Sequence, residues 1–384
     1  MATYRKPLSK EVALLALLAA CVASAYGVYA WRDKKEEAFS NLDNRALMSA
    51  RSSALFFRHF ELSLQTLSQD VVATKSRLDS PQVHDLLVRF QTNDDRLAVS
   101  NLFSTDGRSL SSSNLAVGDR IAGITSNVVL QAGLVDALDS PGLQIGRPLG
   151  GLTGKILHEM VIPMRYAFRD PSGKPLFVVT AVIPMSKQHE IWQPVSLPDG
   201  AALGLLRDDG VLQGRWPEVA DPVRVYAAPN NGVLLDKLRA EEFPESGRAE
   251  GRGTLVDNQR LFAFHRVPGY PLTAYIAIPR SAVWWRWLES VWLPFLLFAL
   301  MAGCSVWIYR YASRHRALWE QELQARQIGL EFRNEISGHA IQGLGMEELI
   351  RIVVLETVKH FHGMWCAYST VDATGLLQVK ESSR

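Results

Sequence analysis

The sequence has 384 residues, 47% of them hydrophobic, with 41 basic residues against 39 acidic ones. That length has room for two or three domains, and the apolar fraction supports packed cores rather than a disordered chain. The near balance of charge removes the electrostatic case for a nucleic-acid partner. Of the three cysteines, Cys21 and Cys304 lie in apolar runs and Cys366 lies near the end. None falls between Arg32 and Glu289, so that region folds without disulfides, and no Cys or His cluster has zinc spacing. No motif for a cofactor or for catalysis appears.

In chain order, Val12 to Trp31 is an apolar run preceded by Arg5, Lys6 and Lys10. Those bases place its start in the cytoplasm and predict a first transmembrane helix at 12–31, after a cytoplasmic N-terminus at 1–11. Ala23-Ser24-Ala25 also suits a signal-peptide cleavage site. The run continues through Tyr26, Val28, Tyr29 and Trp31, which favours an uncleaved anchor.

Phe39 to Leu78 has a helical pattern. Phe57, Phe60, Leu64, Leu67, Val71 and Leu78 fall on three- and four-residue steps, with Thr74 the weak position. The stripe predicts a long helix over 32–79. It suits packing on its own domain, and equally a homodimer seam.

A block of strands and turns comes after it. Leu97 to Phe103 and Ser109 to Ser112 flank an Asp106-Gly107 turn, and Ile124 to Leu138 is helical. Ile156 to Phe168 and Leu176 to Ile183 form a hairpin turning at Asp170-Pro-Ser-Gly. A smaller echo comes next. Ala202 to Leu206 and Val211 to Trp216 pair across Asp208-Asp-Gly, Val233 to Ala240 is helical, and Gln259 to Val267 pairs with Leu272 to Ile278. Strand, turn, strand, helix, hairpin thus occurs twice, predicting a distal module at 80–196 and a proximal module at 197–290.

Val291 to Tyr309 carries no ionisable acid or base and is long enough to cross a bilayer. Trp284, Trp285, Trp287 and Trp292 crowd one end, and Pro294 is placed in the first helical turn. Arg310, Arg314 and Arg316 put the other end in the cytoplasm. The expected topology has two passes in a bacterial inner membrane, both termini cytoplasmic and 32–290 periplasmic. Arg310 to Ile336 continues as a signalling helix, Met346 to His360 is amphipathic, and Ala367 to Val371 pairs with Leu376 to Val379.

Candidate binding residues come from the strand at 156–168. Alternation puts His158, Met160 and Tyr166 on one face, where they offer ring nitrogens, a pliable wall and a hydroxyl. Arg147 lies close by and suits a carboxylate or phosphate. The same residues also suit a satisfied core and a structural ion pair. Arg215, Trp216 and His265 are the parallel set in the second module. Gly150-Gly-Leu-Thr-Gly-Lys-Ile lacks the first Gly and the Ser/Thr of a phosphate loop.

Asn101-Leu-Phe-Ser-Thr-Asp-Gly-Arg-Ser-Leu, Ile145-Gly-Arg-Pro, the hairpin to Ile183 and Leu205-Leu-Arg-Asp-Asp-Gly-Val-Leu-Gln-Gly-Arg-Trp-Pro carry a resemblance. With one apolar helix before and one after, the region resembles the double Cache sensor domains of bacterial receptors and diguanylate cyclases. The arginine–tryptophan–tyrosine signature of its amino-acid-binding members is not evident. The segment at 337–384 resembles the start of a GAF domain and stops short of a whole one. The resemblance implies an α+β fold with two PAS-like Cache modules on a long N-terminal helix, two transmembrane helices and a partial GAF-like segment. It further implies a signal-transduction sensor whose partners are a small-molecule ligand, the lipid bilayer and a second copy of itself. The sensory half of a diguanylate cyclase and a ligand-binding scaffold without output are the alternatives.

Overall fold

The computed structural model describes residues 10–119, 128–150, 160–192, 196–341, 345–361, 365–374 and 376–382. The chain divides into two compact bodies, Ala25–Trp292 and Met1–Ser24 with Leu293–Arg384. Helix α1, Lys10–Ala73, is continuous. It merges the predicted apolar run with the predicted long helix, because neither Gly nor Pro occurs between Trp31 and Ala73. It stops before the expected Leu78. Thr74 Oγ1 turns back to the Val71 carbonyl at 2.8 Å and Lys75 adopts a left-handed φ of 51°.

Phe57, Phe60, Leu64, Leu67 and Val71 are all buried within this one chain, in a core shared with Ile162, Met164 and Val179. The stripe is therefore taken up by the chain's own core. Lower on α1, Ala38, Phe39, Leu42 and Ala46 pack under Leu261, Ala263, Ile276 and Ile278 of the proximal module. One helix is thus the spine of both modules.

The distal module opens with α2, Pro81–Asn93, which pattern reading passed over although Ser80 caps it and Pro81 begins it. Strands β1 (Val99–Ser104) and β2 (Ser109–Ser112) form the first hairpin, and α3 spans Val128–Asp139. Then come β3 (Leu143–Ile145), β4 (Val161–Arg169) and β5 (Pro175–Pro184). The β4–β5 hairpin turns at the expected place, with Gly173 at φ 86°. The sheet order is β2-β1-β5-β4-β3.

A short helix α4, Met185–His189, leads through the buried Trp192 to the proximal module. There β6 (Ala202–Arg207) pairs with β7 (Leu212–Trp216), followed by α5 (Pro222–Ala227) and α6 (Val233–Ala240). Strands β8 (Ser246–Arg252), β9 (Gln259–Arg266) and β10 (Leu272–Pro279) complete it. Its order, β7-β6-β10-β9-β8, is the same permutation as in the distal sheet. The repeat is one of topology. Strand β8 went unpredicted because Ser-Gly-Arg-Ala-Glu-Gly-Arg is a polar edge strand with a single buried side chain.

Helix α7, Arg280–Ile341, begins directly where β10 ends. Pro294 is consequently an interior proline and not a first-turn residue, because the helix starts well before the apolar run. Where α7 leaves the sheet, Trp31 on α1 packs on Trp284 and Trp287 at ring distances of 6.0 and 6.2 Å. Trp287 Nε1 donates to the Gly27 carbonyl at 3.0 Å. Among the described residues one helix, Arg280–Gly338, is long and apolar enough to cross a membrane, with 6% of its apolar 18-residue window buried. In the other body α8, Met346–His360, packs beside the hairpin of β11 (Ala367–Val371) and β12 (Leu377–Ser382).

Candidate functional site

Strand β4 has two unlike faces. Ile162 and Met164 point into the core beneath α1, with Tyr166 and Phe168 packed at its margin. The opposite face carries Pro163, Arg165 and Ala167 under α3, where Ala167 joins Phe103, Leu134 and Val178. An arginine in that row is unexpected, and it is only 2% exposed. Two glycines make room for it. A Cβ on Gly133 of α3 would collide with Arg165 Nη1 and sit 3.0 Å from its Cζ. One on Gly146 would lie 2.9 Å from Nη1 and 2.7 Å from Pro163. Glycine inside a helix costs about 1 kcal/mol relative to alanine, so the gap beside Gly133 is maintained against local preference. Arg169, further along the strand, holds the end of α3 by donating to the carbonyls of Leu138 and Ser140.

Arg165 Nε has no hydrogen-bond partner, and Arg165 forms no ion pair among the described residues. Burial lowers its pKa to about 10, opposed only by the charge of Asp136 on α3. It remains a cation at neutral pH. An unpaired buried charge is costly, and an anion is what would neutralise it. The guanidinium borders a cavity of about 280 Å³ whose walls include Gly133, Asp136, Gly146, Arg147 and Asp209. A fixed cation beside a carboxylate is complementary to a carboxylate or zwitterion.

The cavity's floor belongs to the other module. Arg147 Nε lies 3.1 Å from Asp209 Oδ2, and Arg207 Nε reaches the same oxygen at 3.2 Å. Arg207 Nη1 also donates to the Ile145 carbonyl, and Gln213 Nε2 to that of Gly146 at 3.1 Å. Burial works to raise the Asp209 pKa. Arg207, the Val211 N–H and Arg147 outweigh it and hold the carboxyl below its ordinary range.

No family model matches the chain, and no curated protein matches it. Solved structures do. The extracellular domain of a protein assigned as a histidine kinase superposes with TM-score 0.54 at 19% identity, over 65% of this chain and 97% of that one. The ligand-binding domain of the Pseudomonas aeruginosa amino-acid chemoreceptor PctB, solved with L-arginine, gives 0.48 at 17% identity over 64% and 97%. The periplasmic sensory domain of a Campylobacter jejuni chemoreceptor gives 0.47 at 12% identity over 65% and 98%. The chain shares its fold with that histidine-kinase extracellular domain.

Within this fold the residues singled out from sequence separate. Arg147 borders the cavity, with its guanidinium engaged by Asp209. His158 lies outside the described residues. Met160 is buried in the core, and Tyr166 sits half-buried on the α1 side, where burial raises its pKa and the charge of Glu61 adds to the rise. The expected strand face is real but looks away from the cavity. His265 reaches across to Asp43 of α1 at 3.1 Å, and Trp216 lies against His189. Arg165 was missed. Its signal was a charge at an alternate position of an otherwise apolar strand, together with a glycine inside the helix that covers it.

Proposed function

We propose that the chain is a membrane-bound sensor whose distal module binds a small anionic or zwitterionic molecule and relays its presence across the bilayer. The observation that carries this is Arg165, a buried cation without an ion-pair partner among the described residues, on the wall of a cavity of amino-acid size. Arg165 would take the ligand's carboxylate or phosphate, and Asp136 would take an ammonium group where one is present. The cavity volume of about 280 Å³ supports the ligand's size class. Relay would begin at Gly146 and Arg147, whose contacts with the β6–β7 hairpin tie the cavity to the proximal sheet. From there β10 runs into α7 without an intervening loop, so a shift of the sheet becomes a shift of the helix. A ligand would act by preferring one of two arrangements, since only differential affinity moves an equilibrium.

The apolar stretch of α7 supports one membrane crossing. The exposed Leu14, Leu17, Leu18 and Val22 on α1 support the other. Arg310, Arg314 and Arg316 support a cytoplasmic position for the segment after them, where the helix and hairpin beyond Gly345 would form the start of a GAF-like domain. The output activity would lie with a cytoplasmic domain or partner. Binding of amino acids, dicarboxylates and phosphorylated metabolites to the full 384-residue chain in nanodiscs, read as a rise in melting temperature, tests the reading. A ligand whose shift disappears in Arg165→Gln is the expected result. A shift that survives Arg165→Gln for every active compound would remove Arg165 as the anchor and with it the reading.

A further inference from the structure

The proximal module repeats the distal topology, and a pocket lies against its sheet beside a helix. A pocket of about 50 Å³ lies between its sheet, the start of α6 and the β8–β9 turn. Arg215 of β7 and Arg260 of β9 both border it. Arg260 is 6% exposed, donates through Nη2 to the Gly200 carbonyl, and leaves Nε without a partner. Among the described residues neither arginine pairs with a carboxylate. The third arginine of the wall, Arg252, lies 3.7 Å from Asp257.

Arg215 and Arg260 each donate instead to a backbone carbonyl, Arg260 to that of Gly200 and Arg215 through Nη1 to that of Pro217 at 2.9 Å. Burial lowers the Arg260 pKa, and the charge of Arg215 lowers it further. Tyr275 lines the same pocket. Burial raises its pKa, and both arginines pull it back. Its ring has space because residue 204 is glycine, where a Cβ would meet the Tyr275 hydroxyl at 2.8 Å. Helix α6 contributes a third positive element. Its N-cap is Gly232, no side chain caps it, and Gly232, Val233 and Leu234 line the pocket. The first-turn N–H groups therefore border the same pocket as the arginines, with the exposed Asp236 also in that turn.

Like charges that share a pocket repel each other, most strongly where one of them is buried as Arg260 is, and a counter-ion relieves that repulsion. We infer that the proximal module holds a second, small-anion site, where Arg215 and Arg260 grip a carboxylate or phosphate-type oxoanion and Tyr275 and the α6 N-terminus complete its coordination. The pocket suits an acetate- or phosphate-sized group rather than a whole amino acid, in contrast to the distal cavity. Tyr275 and Ala277 place the site on β10, the strand that becomes α7. Occupancy here would act on the membrane helix independently of the distal ligand.

The test uses the full chain carrying Arg165→Gln, so that the distal anchor is absent. Acetate and inorganic phosphate are titrated separately by calorimetry in nanodiscs, at low chloride. Saturable binding of at least one is expected, and which one binds identifies the anion class. Arg215→Gln in that background should weaken it roughly tenfold or more, as loss of one charge-assisted contact does. Arg215→Gln should also raise the melting temperature in anion-poor buffer, because it removes a repulsion rather than an ion pair. Absence of saturable binding for both anions overturns the proposal, as does binding unchanged by Arg215→Gln. A lowered melting temperature for Arg215→Gln without anion also overturns it, by making Arg215 a structural residue. The distal reading stands or falls separately, on Arg165 in the otherwise unmodified chain.

Discussion

Arg147 of the distal module and Asp209 of the proximal module meet across the module boundary, with Nη2 3.1 Å from Oδ2. Arg207 grips the same carboxylate, and the backbone of Ile145 and Gly146 is held by Arg207 and Gln213. The distal cavity therefore rests on the proximal hairpin. The two arginines contribute unequally to this joint. Arg147 is 43% exposed and Arg207 17%. Arg147→Ala should cost at most about 1 kcal/mol in the unliganded protein, the range of a solvated pair. Asp209→Asn should cost more, about 1–3 kcal/mol, because it strands the better-buried Arg207. Denaturant titration of the two variants tests the ranking. Asp209 has a depressed pKa, so its contribution is complete above the ordinary value of 3.8 and is lost as pH falls through the depressed one.

Gly133 is kept as glycine by the Arg165 guanidinium. On an unconstrained helix, Gly133→Ala would add about 1 kcal/mol of stability. Here the new methyl meets Nη1, so the expected result is no gain in melting temperature and loss of ligand response. A stabilised variant with full response would show that Arg165 can leave its place freely.

His189 provides a pH signature. Burial lowers its pKa from 6.5 to about 4, and its ring stacks on Trp192 at 5.7 Å. The folded protein keeps this imidazole neutral while the unfolded chain protonates it. Stability from this group is therefore complete above pH 6.5 and is lost as pH falls toward 4. The loss is on the order of 3 kcal/mol, taken from the shift at 1.36 kcal/mol per unit. His189→Gln should flatten stability between these pH values, as followed by thermal melts. An unchanged slope would place the titration elsewhere.

A homodimer, if α1 forms one, must use a face other than the expected stripe. Met48, Leu55 and Leu62 recur every seven residues and are 64%, 73% and 47% exposed. Cysteine at Leu55 in a background without the native cysteines should crosslink between chains, whereas cysteine at the fully buried Leu64 should not. Crosslinking at Leu64 alone would reverse the assignment of faces.

Topology is tested by reporters. A fusion after Glu37 should be active in the periplasm and one after Arg316 in the cytoplasm. Periplasmic activity of the second would contradict the two-crossing arrangement.

The local elements were largely written in the sequence. Alternation gave the hairpins, Asp-Gly and Pro-Ser-Gly gave their turns, and the Phe57–Val71 spacing gave the long helix. These signals are local, set by backbone preference and by the period of burial, and so they survive without knowledge of neighbours. The same period also showed that Met160 and Tyr166 share a face, but not what that face meets. Only the tertiary structure decided that it meets α1 while the cavity opens opposite, beside Arg165. It likewise decided that the helical stripe serves the chain's own core, that the polar edge strand β8 exists, and that Arg147 pairs with Asp209 from the other module. Each of these depends on which distant segment arrives alongside, and burial of a charge is a property of that arrival rather than of the residue.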